Sequence, residues 1–530
     1  MFGLGIHFLM GWAMAATDGA KKEKAEWPPH PDRVFMALAA AWFETGQDMQ
    51  EGQTLRWLEA QAPPDISASD NEFREIVNCY VPVNDASVAE RKTVERICAN
   101  PKTDLAKYQK NGLSVLPEFR SKQKRCFPVA IPHIPIMYLV WKADVPEIYI
   151  EPLFSLCRKV ISVGHPASLV QMWLTADPPI PNLVPTGGVV RRRLRIFCPG
   201  RLQYLEDHCN RNAVIEFLDR EAKIKQSKGK EKKQLQIQQK ARFPSGAPVS
   251  LRPEPGLWQG YEKPKQSDTS SFAGSLFEPN IIIFSLSGQR MPLQTTLKLT
   301  EAFRGALFSG CRQPIPEWIS GHDLKGGSTL KPHIALLPLS FSGSNHADGR
   351  LMGIAIALPR DLDTAEVDHA LAPCLWDDYG EPLKIKLFDG YWLECTTVLE
   401  TRESPPVNLR PETWTVASRH WATVTPLVLD RHFNGKNKWR HAVESVKDAC
   451  LRIGLPRPAD VRLHSVSMFE GVPCSNEFPY LTRKKDNGKM YHIHAEFIFN
   501  ESVQGPVVVG AGRFRGYGFC RPIISRGQWE

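Results

Sequence analysis

Near its C-terminal end the chain reads VVVGAGRFRGYGFCRP over residues 507–522, where Gly510, Gly512, Gly516 and Gly518 surround Arg513, Phe514, Arg515 and Tyr517. Those residue types suit an anionic ligand. Glycine tolerates φ > 0 and lets a ligand approach the backbone, and successive N–H groups in such a turn form a concave anion site. Arginine adds bidentate phosphate contacts, and an aromatic ring offers a face for a nucleobase. A tight hairpin or β-bulge without a ligand is the plain structural alternative. A dinucleotide site is rejected, because the spacing Gly-x-Gly-x-x-x-Gly-x-Gly departs from that fingerprint and only about twelve residues follow, too few for the crossover helix.

The remaining polar motifs are less specific. His492 and His494 lie two apart on a predicted strand and therefore on one face of it. They fit a half-exposed strand, an RNA-facing sheet or a metal pair, though no third ligand accompanies them at suggestive spacing. His30 follows two prolines at a helix start and reads as structural or as an RNA contact. Arg191, Arg192, Arg193 and Arg195 form a basic run that is either a second RNA-binding patch or a solvated strand face. Residues 221–242 carry eight Lys/Arg against two Glu, which reads as a solvated helix, a mobile loop or an RNA-contacting arm. HExxH, P-loop and GxSxG motifs are absent, which argues against metalloprotease, NTPase and α/β-hydrolase chemistry. Twelve cysteines without a CxxC pair suggest neither a zinc ribbon nor a disulfide framework. No metal or other cofactor is expected, and reduced thiols place the chain in the cytoplasm.

A length of 530 residues implies two or three domains, and the net charge of +9 favours nucleic acid over an acidic membrane as partner. The apolar opening reads as a buried strand, Leu4–Met10, because it contains His7 and lacks the basic start of a signal peptide. Pro31 opens a helix whose Val34, Phe35, Leu38, Ala41 and Trp42 recur at helical spacing. Residues 60–130 resist parsing. Further strands are expected at Ile134–Trp141, Arg191–Phe197, Ile281–Leu286, Ile334–Phe341, Leu351–Leu358, Val461–Val466 and Tyr491–Phe499, with helices at Asp361–Leu371 and Lys438–Ile453. LKIKLF-DG-YWLECTTVL predicts a hairpin with Asp389-Gly390 at its tip. The fold expected is α+β, with tandem ferredoxin-like (RRM-like) domains, antiparallel sheets and the C-terminal glycine-rich loop. Its domains are 1–243, a linker at 244–275, and 276–530, the last with two ferredoxin-like units.

The glycine loop resembles the C-terminal signature of the RAMP superfamily of CRISPR-associated proteins. With WPPHPDRVFMALAAAW, SGHDLKGG, KPHIALLPLSFSGSNHADGRLMGIAIALP and WATVTPLVLDR, the chain looks like the type I-G (formerly I-U) effector subunit that fuses a Cas-five-like domain to a Cas-six-like domain. The resemblance implies that the first domain holds the 5′ handle of the CRISPR RNA, and that the second cuts the repeat transcript and stays on its hairpin. The other subunits of the type I-G effector complex would then be partners, and a membrane would not. It also implies metal-independent cutting, in which a 2′-hydroxyl attacks the adjacent phosphate and leaves a 2′,3′-cyclic phosphate and a 5′-hydroxyl. Histidine suits both proton transfers. The histidines in the matching segments are His346, on a glycine-flanked loop and first choice, His322, and His333, which reads equally as structural. Arg513 and Arg515 are the expected ligands of the RNA backbone. A non-catalytic RNA-holding subunit is the rival reading.

Overall fold

The computed structural model describes residues 1–17, 23–75, 78–82, 95, 99, 122–208, 211–243, 256–264, 272–323, 326–329, 331–378, 380–390, 393–402, 404–483 and 488–523. Helices and antiparallel sheets are mixed, as expected for α+β. The chain divides into two units, Met1–Pro185 with Leu194–Gln259, and Thr186–Arg193 with Gly260–Glu530. Among the described residues no helix is long and apolar enough to cross a membrane.

In the first unit, β1 (Phe2–Phe8) is the strand expected from the apolar opening, starting two residues earlier. It is buried along nearly its whole length, which explains why its sequence does not alternate. Gly5 is required there, since a Cβ would lie 2.3 Å from the Trp173 indole. α1 (Pro31–Glu44) begins at the predicted proline and buries Val34, Phe35, Leu38, Ala41 and Trp42. α2 (Met49–Glu59), capped by Asp48, follows, and the unparsed region 60–130 holds β2 (Asp65–Ala68). Then come β3 (Ile136–Trp141), α3 (Glu147–Lys159) and β4 (Val170–Thr175). The sheet order is β2–β3–β1–β4, antiparallel throughout. The run RRRLRIF holds β5 (Arg192–Ile196). The lysine-rich region is helical, as α4 (Arg211–Gln226) and α5 (Gly229–Arg242). The expected linker contains β6 (Leu257–Glu262), and Gly256 N–H donates to Asp32 at 3.2 Å.

The second unit repeats one pattern twice. Its first half runs β7 (Ile282–Gly288), α6 (Thr296–Gly310), β8 (Ala335–Ser340), β9 (Leu351–Ala357) and α7 (Thr364–Leu375), then the hairpin β10 (Ile385–Gly390) and β11 (Leu393–Leu399). The order is β8–β9–β7–β11–β10. Asp389 and Gly390 pair with Glu394 and Leu393 and so extend the ladder; residues 391–392 lie outside the described residues. The second half runs β12 (Ser418–Thr423), β13 (Leu427–Val428), α8 (Lys438–Arg452), β14 (Asp460–His464), the long β15 (His492–Gln504) and β16 (Cys520–Pro522). β14, β15, β12 and β16 lie side by side in that order. In both halves, once the extra strands β10 and β13 are set aside, the remaining four counted along the chain stand second, third, first, fourth across the sheet. In the second half the glycine loop stands where the first half has α7.

Candidate functional site

The glycine loop closes a narrow antiparallel hairpin. Val509 N–H donates to Gly518 at 2.9 Å, Cys520 N–H to Val507 at 2.9 Å, and Val508 bridges Phe519. Gly518 has φ 73°, and a Cβ there would stand 1.8 Å from the Val509 carbonyl oxygen, so only glycine fits. Arg513–Arg515 form one 3-10 turn, ended by Gly516 at φ 85°. The turn is anchored on several sides. Thr425 Oγ1 donates to Gly516 O at 2.7 Å, Thr300 Oγ1 to Arg515 O at 3.3 Å, and Ala511 N–H to Val428 O at 3.1 Å. A rigidly held turn presents its side chains with little ordering cost on binding.

Phe514 is the pivot of the presented surface. Its ring stacks on His333 with centroids 3.7 Å apart, and the Arg513 guanidinium lies over the same ring with Cζ 4.5 Å from its centre. The His333 ring also packs over Gly321, where a Cβ would lie 3.0 Å from it. Partial burial lowers the pKa of His333, and Arg304, Arg513 and His322 push it the same way, against a weak contact to the Lys331 carbonyl. Arg304 and Arg513 are themselves half-buried, and burial lowers the pKa of each. Arg515 adds to the lowering at Arg304, and Arg452 at Arg513, where Asp430 opposes it. Arg515 is exposed. The loop thus brings Arg304 and Arg513 to the His333 imidazole, with Arg515 beside Arg304, and burial and these charges disfavour the protonated ring, an arrangement that suits a phosphate whose neighbouring hydroxyl must lose a proton.

Two of the three singled-out histidines therefore meet at this place, and the third does not. His322 and His333 precede β8, whereas His346 follows it, across roughly 20 Å of strand. The exposed His346 rides on a loop fixed elsewhere, with Gly343 N–H donating to Glu470 O at 3.1 Å and Arg521 donating to Ser342 O. Tyr517, expected to face RNA, is 0% exposed. Its hydroxyl donates to Pro479 O at 2.8 Å and its ring stacks on His492, so it supports the loop from inside. The reason is local, since the positive φ of Gly516 turns the next side chain back into the core.

His492 and His494 are also buried, at 4% and 1% exposure. A carbonyl only accepts, so His494 carries its proton on Nε2, 3.1 Å from Pro473 O, and its Nδ1 accepts from Thr423 Oγ1 at 3.0 Å. With both nitrogens engaged it is no metal ligand. Burial lowers the pKa of each to about 4. On the same face the sequence reading missed a cluster around Glu496. His420 Nε2 donates to its buried carboxylate at 2.6 Å, with Arg462 at 3.7 Å and His464 at 3.8 Å. Period-2 alternation within β15, His492-x-His494-x-Glu496, was the available signal.

The basic run at 191–195 divides. Arg191 is exposed. Arg192 is half-buried, and Arg193 is half-buried against Trp376, with its guanidinium 5.8 Å from the ring and 3.8 Å from Asp368. Arg195 is 5% exposed and donates to His30 Nδ1 at 3.1 Å. His30 is structural. Its N–H donates to Glu26 at 2.9 Å, Arg33 grips the same carboxylate at 2.7 Å, and burial lowers the His30 pKa to about 4. The solvated basic strand face is thereby corrected for Arg193 and Arg195, both of which turn into packed surroundings.

Residues 2–214 and 283–522 match a family model described as CRISPR-associated protein, GSU0054 family. No curated protein matches the chain. A solved structure described as "CRISPR associated protein Cas6" aligns with 46% of this chain and 98% of its own, at 9% identity and a TM-score of 0.25. Nothing is transferred from so distant a likeness.

Proposed function

Because the chain belongs to the CRISPR-associated protein, GSU0054 family, we propose that it binds CRISPR RNA and cuts the repeat transcript at the glycine loop. The observation that carries this reading is the stack of His333 on Phe514, with Arg513 over the Phe514 ring and Arg304 close to the imidazole. Neutral His333 takes the proton of the 2′-hydroxyl, and the 2′-oxygen then bonds to phosphorus. The bond from phosphorus to the 5′-oxygen breaks, and His322 supplies the proton that the leaving oxygen needs. The products are a 2′,3′-cyclic phosphate and a 5′-hydroxyl. Arg304, Arg513 and Arg515 neutralise the extra charge on phosphorus in between. No step calls for a metal.

The repeated strand order suggests three ferredoxin-like units, one before the basic helices and two after them. In this reading the chain is the type I-G fusion subunit, working in the cytoplasm beside the other subunits of its effector complex. The first unit takes the 5′ handle and the second unit the repeat hairpin. A holding subunit without cutting activity is favoured by one observation, that His333 is half-buried under Phe514.

The deciding experiment incubates the purified protein with labelled repeat RNA in EDTA and resolves the products. Cutting at one site with a 2′,3′-cyclic phosphate end is the expected result. Binding without cutting removes the catalytic half of the proposal and leaves the holding subunit.

A further inference from the structure

Beside the glycine loop, on the far side of β13, lies a recess of about 270 Å³. Leu429 N–H donates to Tyr491 O at 2.9 Å, which carries the chain from β13 into the loop ahead of α8. That loop and the first turn of α8 line the recess with Arg431, His432, Phe433, Lys438 and Trp439, and Tyr491 closes it. Trp439 and Tyr491 are unusually open for such large rings, at 45% and 42% exposure. They stand 5.9 Å apart at 62°, and Lys438 Nζ sits 5.3 Å over the indole.

We propose that this recess binds one unpaired nucleobase of an RNA strand, stacked on one of the two open rings, Trp439 or Tyr491, and edge-on to the other, with Arg431 and Lys438 meeting the adjoining phosphates. The proposal rests on the reading of the second unit as RNA-binding. Size, shape and charge each support it. The volume falls just below the ~300–1,000 Å³ of sites for drug-sized ligands and suits a single flat ring system. Open aromatic rings that do not pack in the core are stacking platforms, and every base has a π-face to offer them. The charged lining is Arg431, Lys438 and titratable His432, with no carboxylate among the lining residues. Asp430, next along the chain, is held by Arg452, so it does not offset the basic rim.

Position supplies the remaining support. Val428 accepts the Ala511 N–H of the glycine loop at 3.1 Å, and Asp430 and Arg452 both act on Arg513. A strand held by Arg513 and Arg515 would thus continue across β13 to Arg431 and the recess. A base still paired in a duplex has no free face, so the site selects a splayed nucleotide beside a helix.

The test uses the full chain and a fluorescein-labelled A12 RNA, with a second set carrying 2-aminopurine at successive positions. Expected are quenching of 2-aminopurine on binding, and weakening by Trp439→Ala or Tyr491→Ala of about 5- to 150-fold, the range of one stacked base. Trp439→Phe, which keeps a ring, should recover most of the affinity, and a 12-base-pair RNA duplex should not distinguish these variants. Unchanged A12 binding in both alanine variants overturns the recess, provided that Arg513→Ala/Arg515→Ala still weakens binding. If wild type binds no RNA at all, the RNA-binding reading falls and takes this one with it. Equal losses with A12 DNA would overturn the assignment to RNA while leaving a base site.

Discussion

The two halves of the second unit use one strand order and end differently. In the first half α7 follows the third strand and buries Val367, Ala370, Leu371, Cys374 and Leu375 in the core. In the second half the chain leaves β15 and returns through a glycine turn, whose Arg513 and Phe514 stay half-exposed and whose Arg515 is exposed. A helix at that place supplies packing, whereas the turn supplies donors, cations and a ring at the surface. The cost of removing a helix is met by buried groups beneath the turn, such as Tyr517 and its bond to Pro479. Stability and ligand chemistry are therefore divided between two copies of one plan.

Substitutions can break that contrast in order of size. His333→Ala should lower repeat cutting by about 10²–10⁴-fold, the usual worth of one proton transfer, while His346→Ala leaves it nearly unchanged. Single-turnover assays with binding checked separately would read both, and equal losses would return His346 to the site. Gly518→Ala must push a carbonyl aside and hold a positive φ, so a loss on the order of 3 kcal/mol is expected in urea unfolding.

Acid should loosen the second half before the first. His494 has a folded pKa of about 4 against 6.5 for the free group, so the unfolded chain takes up the proton first. Its contribution is complete above pH 6.5 and fades as pH falls towards 4, by about 3 kcal/mol in all. Urea midpoints measured from pH 7 to 4 would check this, and His494→Gln should flatten the curve. The smallest effect is opposite in sign. Gly305 lies on the exposed face of helix α6 with nothing within 4 Å of a new Cβ, and Gly305→Ala should add about 0.5–1 kcal/mol to the thermal stability.

Much of this plan could be read from the residues because it depends on local rules. Pro31 and the 3.6-residue spacing after it mark α1, and alternation on either side of Asp389-Gly390 marks the β10–β11 hairpin. Asp389 and Gly390 themselves extend the ladder instead of turning it. The glycine loop was legible for the same reason, as φ > 0 demands glycine. The partners of the loop were not. His333 meets Phe514 across a sequence separation that no periodicity reports. Glu496 was invisible because a buried carboxylate is recognised by its partners, His420, Arg462 and His464, which arrive on two other strands.

The segment Thr186–Arg193 belongs with the second unit although the chain on both sides of it belongs with the first. The backbone therefore passes from one unit to the other three times, at 185–186, 193–194 and 259–260. No single cut yields both units whole, and a gene split at one point would encode at least one incomplete body. Separating the two units by truncation is thus closed off, and point substitutions are the means left for dissecting them.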